Sequence, residues 1–429
     1  MRVLYSLVLI LFAARPAMAQ HDMSNMQDMP GMNDMRPKSF IDAQKHRANS
    51  GTSVEPAATP VAMLMKMHGE WRLMLHGHAF VTNQQQSGPR GADKWFSTNW
   101  IMPMAQRRAG PGTLTFRTMF SFEPATITGR YYPELFQQGE TVFGKPIIDG
   151  QHPHDFFMEL AAIYDIQPGE HSLLSFYAAP VGDPALGPIA YPHRASANEN
   201  PLAALSHHQM DSTHIAYNVL TGGFTYRSIR IEASGFHGRE PGEHRWEIDG
   251  GAVDSWSTRF TVNPTANWSG QFSYGRLVAP EALFPHDDQE RITSSVMYGR
   301  TLTRGDWANT VAWGRTRSLA DKSIENSYLA ESTLHFAKWN AIWTRLENAG
   351  RTNELALTPR TPLPIGFTER PIGHVFAGTI GYDREYSFIP HVATAIGAQF
   401  TAYKTPDRLR AIYGDHPVGG VAFIRLRLQ

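Results

Sequence analysis

The amino-acid sequence predicts an all-β protein: a transmembrane antiparallel β-barrel of about 16 strands, within a range of about 12–16, preceded by a disordered tail. Three observations predict it. Segment after segment alternates apolar and polar residues, the period of two that a sheet with two different faces requires. Short and long connections take turns along the chain, as periplasmic turns and outer loops do in outer-membrane barrels. The chain carries 36 glycines and 29 prolines but only 18% charged residues, which suits many short strands joined by turns.

The N-terminal segments come first. Residues 1–19 read as a secretory signal peptide, with Arg2, an apolar stretch from Val3 to Ala14, and Ala17-Met18-Ala19 before Gln20. Residues 20–66 are rich in Met, Asp, Asn, Ala and Pro and lack periodicity, so they read as a disordered periplasmic tail. Residues 67–429 then form the barrel. The chain has no cysteine, which excludes a disulfide scaffold in an exported protein. Basic and acidic residues balance at 39 each, so no nucleic-acid partner is expected. After the signal peptide no apolar run is long enough for a transmembrane helix, which leaves barrel strands untouched.

The strands follow. "EWRLMLHGHAFV" opposes Trp71, Leu73, Leu75, Gly77 and Ala79 to Glu70, Arg72, Met74, His76 and His78. "TLTFRTMFSF" opposes Leu114, Phe116, Phe120 and Phe122 to Thr113, Thr115, Arg117 and Ser121. "WSGQFSYGRL" and "PHVATAIGAQFTAYK" repeat the pattern, and "VAFIRLRLQ" closes it with Arg425 and Arg427 opposite Ile424 and Leu426. Short turns are expected at "QRRAGPG", "IQPGE", "TGG", "NPTAN", "TRGD", "AKW" and "REYS". Long loops are expected over 82–92, 123–154, 180–212, 237–254, 278–290, 317–323, 349–371 and 404–418. Trp71, Trp100, Trp256, Trp268, Trp307, Trp313, Trp339 and Trp343 fall near strand ends or on outward faces, where interfacial girdles are built.

Three constellations carry possible chemistry. In "HDMSNMQDMPGMNDM", Met23, Met26, Met29, Met32 and Met35 recur at every third position behind His21. Thioether sulfur is a soft neutral ligand that selects Cu(I)-like ions and needs no deprotonation. The alternative is a solvated, compositionally biased tail. In "DGQHPHDFF", His152, His154 and Asp155 put two imidazoles and a carboxylate within four residues; "YPHRASANENPLAALSHHQMDSTH" adds His193, His207, His208, Met210 and His214. Both loops should emerge at the same barrel mouth, where neutral imidazole with carboxylate suits Zn, Cu, Ni or Fe. Histidines that merely bond loop backbone and pack a plug are the equal alternative. The third constellation is the inward face of the first strand, Met74, His76 and His78, with His335 and His391 as lumen neighbours.

The signal peptide, the Met-, Asp- and His-bearing tail and the barrel together resemble the copper-resistance protein B family of outer-membrane proteins. The resemblance covers the tail's composition and the layout, while the barrel with its "HPHD" and "SHHQMDSTH" loops looks like uncharacterised bacterial outer-membrane proteins. It implies copper as the bound ion, Met23, Met26, Met29, Met32 and Met35 as its ligands, and outer-membrane lipid, the metal ion and periplasmic metal-handling proteins as partners.

The expectation is therefore a non-enzymatic barrel in the bacterial outer membrane, with its tail in the periplasm, that binds or transports copper or confers resistance to it. A porin-like channel for small solutes is the alternative. An outer-membrane hydrolase using Ser206, His208 and their neighbours is a second one, weakened by the lack of a G-x-S-x-G or H-E-x-x-H pattern.

Overall fold

The computed structural model describes Pro37 and residues 39–429. Sixteen antiparallel strands close into one barrel. They are β1 (Trp71–Gln86), β2 (Asn99–Ala109), β3 (Gly112–Phe120), β4 (Phe157–Gly169), β5 (Ser172–Gly182), β6 (Ala216–Tyr226), β7 (Ile229–His237) and β8 (Ser255–Thr265). The second half contains β9 (Trp268–Leu277), β10 (Gln289–Leu302), β11 (Gly305–Ser318), β12 (Ile324–Phe336), β13 (Asn340–Thr352), β14 (Pro371–Ile389), β15 (Val392–Lys404) and β16 (Val418–Leu428). Each pairs with its sequence neighbours, and β16 returns to β1 with Leu426 opposite Ala79 and Ile424 opposite Val81. Closure removes both sheet edges, which a lipid-facing sheet must do because its backbone groups have no water to bond.

The two faces differ as the alternation requires. Leu73, Phe116, Phe176, Phe260, Phe272, Val296, Val311, Leu346, Phe400 and Ile424 point outward and stay exposed. Arg117, Glu159, Glu232, Arg259, Ser273, Thr293, Glu331, Arg345 and Arg425 point inward and are buried. An apolar outer belt around a charged lumen is the inverse of a soluble sandwich. Aromatic pairs rim the belt. At the turn end Trp268 lies 4.8 Å from Tyr298, which lies 5.8 Å from Trp307; at the loop end Trp256 lies 5.4 Å from Tyr274. Trp100 and Trp343 depart from the expected girdle. Both share the inward parity of their strands; Trp343 is buried against Phe423, and Trp100 packs on His193.

Two expected turns lie elsewhere. Thr221-Gly222-Gly223 is the middle of β6, and the turn falls at Arg227–Ser228. A Cβ on Gly223 would stand 2.7 Å from Arg230 Nη2, so the glycine makes room for a lumen arginine instead of bending the chain. Arg384–Ser387 likewise belongs to β14, whose turn is Pro390–His391. His391, expected on the lumen face, therefore occupies that turn, with φ 64°.

The lumen is filled from both ends. From the turn end comes part of the segment expected to be a disordered tail. Ser39 caps a short helix, Phe40–Lys45, through a bond from Asp42 N. Residues 47–56 then run inside the barrel, where Arg47 meets Asp165 at 3.3 Å and Ser50 donates to Asp183 at 2.7 Å. Arg259 donates to Thr52 at 2.9 Å, and Ala58 N returns to the Ala266 carbonyl of the β8–β9 turn at 2.8 Å. Polar lumen side chains satisfy a segment that has no periodic face of its own. From the loop end, residues 121–156 and 183–215 fold inward and are largely buried.

Candidate functional site

The 183–215 loop is held by charges on the barrel wall. Arg194 bonds Glu331 of β12 at 2.7 Å and Asp211 of its own loop at 3.1 Å. Arg345 of β13 donates to the Leu202 and Ala203 carbonyls, and Glu199 takes Arg425 and Arg427 of β16 and His335 of β12. Arg194, Glu331, Asp211, Arg345, Glu199 and Arg425 are buried, so each depends on its partner, and breaking one pair leaves an uncompensated charge.

Around this clamp the loop histidines assemble. His207 Nδ1 meets Asp211 Oδ1 at 2.5 Å. Burial opposes ionisation of Asp211, but His207 and Arg194 outweigh it and hold the carboxyl at about 2. His154 Nδ1 lies 3.0 Å from Glu123, and its Nε2 lies 3.3 Å from the Tyr191 hydroxyl. Burial disfavours its charged form, yet Glu123 raises it above the ordinary histidine value. Asp155 accepts from Tyr217 at 2.7 Å and from Arg245 at 2.9 Å. Glu140 joins two histidines: His152 Nε2 lies 3.0 Å and His208 Nε2 2.9 Å from its Oε1.

His154, His207 and His214 gather about Tyr191, with ring centroids 5.2–5.3 Å apart between His214 and the other two. His214 Nδ1 faces the Asp211 carbonyl at 2.8 Å. Burial and then His207 and His154 hold His214 well below the ordinary range. His193 stands apart because neither ring nitrogen has a hydrogen-bond partner among the described residues. Burial, followed by His76 and His214, keeps it well below the ordinary range and so neutral. Met210 packs instead with Ala204, Ala312 and Leu329.

The expected loop residues thus converge, but mostly on carboxylates and backbone. Among the described residues no three or more of His, Cys, Asp and Glu surround a common ion position. The expected tail ligands His21, Met23, Met26, Met29, Met32 and Met35 lie outside the described residues. Ser206 donates to Glu347 at 3.0 Å and Ser212 to Glu240 at 3.0 Å. Neither hydroxyl meets an imidazole nitrogen, so the serine–histidine pair that ester hydrolysis needs is not assembled there.

Beside His208 a cavity of about 170 Å³ opens at the loop end, lined among others by Gln138, Glu281, Arg291, Arg351 and Glu369. Burial pushes Glu281 and Glu369 up to about 8, with a neighbouring carboxylate adding to each, Glu369 for Glu281 and Glu325 for Glu369.

No known protein family and no curated protein matches this chain. Solved structures do. The high-pH structure of Pseudomonas putida OprB aligns with a TM-score of 0.52 at 8% identity, covering 84% of this chain and 94% of that one. The chain has the fold of outer-membrane barrels. Salmonella typhi OmpF in complex with daunomycin gives a TM-score of 0.49 at 8% identity, over 84% of this chain and 100% of that chain. An anion-selective porin from Comamonas acidovorans gives 0.47 at 10%, again over 84% and 100%.

Sequence reasoning missed a group on the lumen wall. Met102 and Met104 of β2 face Met119 of β3 and Met158 of β4 beside Met74. "IMPMAQ" carries the signal, since Met102 and Met104 stand two apart and so share one face of a strand.

Proposed function

We propose that the protein is a porin-like outer-membrane channel for small solutes, closed at rest by its own N-terminal segment and loops. The single observation behind this reading is the polar lumen of a closed sixteen-strand barrel occupied by residues 47–56. That segment is held by a handful of side-chain bonds instead of by an apolar core, so it can leave without unfolding the wall. The cavity beside His208 is the vestibule on the loop side. Liposome swelling tests this. Wild-type protein should admit small sugars or ions slowly, and a variant with a loosened plug should admit them faster. A loosened plug that gives no faster entry would sink the channel reading.

A second reading, soft-metal handling in the manner of the copper-resistance protein B family, is favoured by the tail sequence. Five evenly spaced thioethers behind His21 suit Cu(I), and periplasmic metal-handling proteins would be its partners. Replacing Met23, Met26, Met29, Met32 and Met35 by leucine in the full chain should lower copper stoichiometry and copper tolerance. Unchanged values would retire the tail's role.

A further inference from the structure

Arg, Glu, Ser, Thr and Gln recur among the inward positions of this barrel. The wall of β1–β4, which includes Arg117 and Glu159, also carries a patch of methionine. Met74, Met102, Met104, Met119 and Met158 are buried there in one cluster, with Met63 and Met65 packed against it. The register makes the grouping specific. Met74 pairs directly with Met104, and His76 with Met102, while Met65 pairs with Met74 from the strand Leu64–His68. His76 Nε2 lies 3.1 Å from Met102 Sδ. Trp100 packs against the methionines, and its ring lies 5.0 Å from His76 and 4.3 Å from His193.

Methionine is a common filler of irregular cores, and a cluster of thioethers alone would be read that way. Two features go further. His193 is only 7% exposed, yet among the described residues neither of its ring nitrogens has a partner. A buried imidazole without a hydrogen bond is costly, and an ion that accepts a nitrogen lone pair removes part of that cost. His214 Nε2 is also unpartnered among the described residues. The second feature is the nitrogen–sulfur separation at His76 and Met102. Bonds of about 2.0 Å to nitrogen and about 2.3 Å to thiolate sulfur are usual for zinc, itself a d¹⁰ ion; at lengths of that order two donors 3.1 Å apart can share one ion.

We propose that this quarter of the lumen wall is a binding site for one soft monovalent cation, Cu(I) or Ag(I). Met102 and His76 supply the first two donors, Met74, Met104 and Met119 the remaining sulfurs, and His193 a nitrogen from the loop above. All these donors are uncharged, so the site favours a monovalent ion over a hard divalent one, which would need carboxylates to offset its desolvation. The site is separate from the tail and does not depend on the channel reading.

Silver ion is the probe, because it needs no reductant. In the full chain with the five tail methionines changed to leucine, calorimetric titration should show about one bound Ag(I), and X-ray absorption at the silver edge should show sulfur neighbours. Met102→Leu with Met104→Leu conserves volume and should weaken that binding at least about tenfold. His193→Phe should weaken it while leaving sulfur scattering in place. Each variant is first checked for the heat-modifiable mobility of a folded barrel. If the double variant fails to fold, Met119→Leu is read by the same titration. The proposal is overturned if the tail-substituted chain binds no silver, or if the folded lumen variants bind it as before.

Discussion

The backbone amide of Gly51 donates to Glu159 Oε1 at 2.9 Å, inside the barrel. Glu159 is itself fully buried and paired with Arg117 at 2.6 Å, and Arg117 also donates to the Gly51 carbonyl. One residue of the plug therefore sits on a wall ion pair through both its backbone groups. Gly51 has φ 59°, and a Cβ there would stand 2.5 Å from the Asp183 carbonyl oxygen. Gly51→Ala should cost the plugged state roughly 1–2 kcal/mol from backbone strain, plus the clash. Single-channel recordings in planar bilayers should show longer open times than wild type. Unaltered gating would mean that residues 47–56 do not close the pore.

The same plug should respond to pH. Burial pushes Glu55 up to about 7 against the opposing bond from Ala195 N and the charge of Arg194, with Glu331 adding to the rise. Asp183 is pushed up to about 7 by burial, against its bond from Ser50 and the charges of Arg259 and Arg117. A carboxyl whose value is raised in the plugged state stabilises that state fully at low pH. The contribution falls as pH rises from the ordinary carboxylate value and is gone above the raised one. Open probability should therefore increase between pH 5 and pH 7 and level off above that. Glu55→Gln with Asp183→Asn should flatten the curve in this window; an unchanged curve would assign the response to other groups.

Much of this architecture was legible, for a physical reason. Lipid outside and charge inside force a period of two on each spanning strand, and Phe272 beside Ser273 or Ile424 beside Arg425 shows it directly. The misplaced turns came from the lumen's own demands. Gly223 reads as a bend but clears space for Arg230, and Glu385 reads as part of a polar turn but pairs with Arg427. The plug was illegible because its partners are scattered: Arg47 meets Asp165, and Glu55 meets Ala195. No local pattern encodes such contacts. The loop histidines named from the sequence gather in the structure, but on carboxylates that the sequence reading did not single out. Glu123 and Glu140 lie in the same loop as His152 and His154, Glu123 31 residues from His154 and Glu140 12 residues from His152.

Glu140 gives a sharper test of that histidine group. It takes both His152 and His208 on one oxygen. Burial opposes its charge, yet the two imidazoles hold it well below the ordinary range. Burial disfavours the charged form of His208, but Glu140 raises it above its ordinary value. A raised histidine stabilises the fold fully below about pH 6.5 and loses that contribution as pH rises through its folded value. Glu140→Gln should thus lower thermal stability most at pH 6 and least at pH 9, by about 3–5 kcal/mol at the acid end if the buried pair behaves as such pairs do. Equal losses at both pH values would show that Glu140 acts only as a neutral hydrogen-bond acceptor.

The membrane placement can be tested on a single strand. Phe272 and Ser273 are consecutive in β9, the first exposed on the outer belt and the second fully buried in the lumen. Phe272 stands midway along the strand, opposite Phe260 and Ser294. An arginine on the lipid face near the bilayer midplane costs about 2–4 kcal/mol, and less toward either interface. Phe272→Arg should therefore reduce folding stability in phospholipid vesicles by that amount, whereas Phe272→Leu should cost little. In detergent micelles, which let water and counter-ions reach the side chain, the arginine penalty should shrink. An arginine tolerated equally in vesicles and micelles would mean that this face does not meet hydrocarbon, and the outer belt would need another explanation.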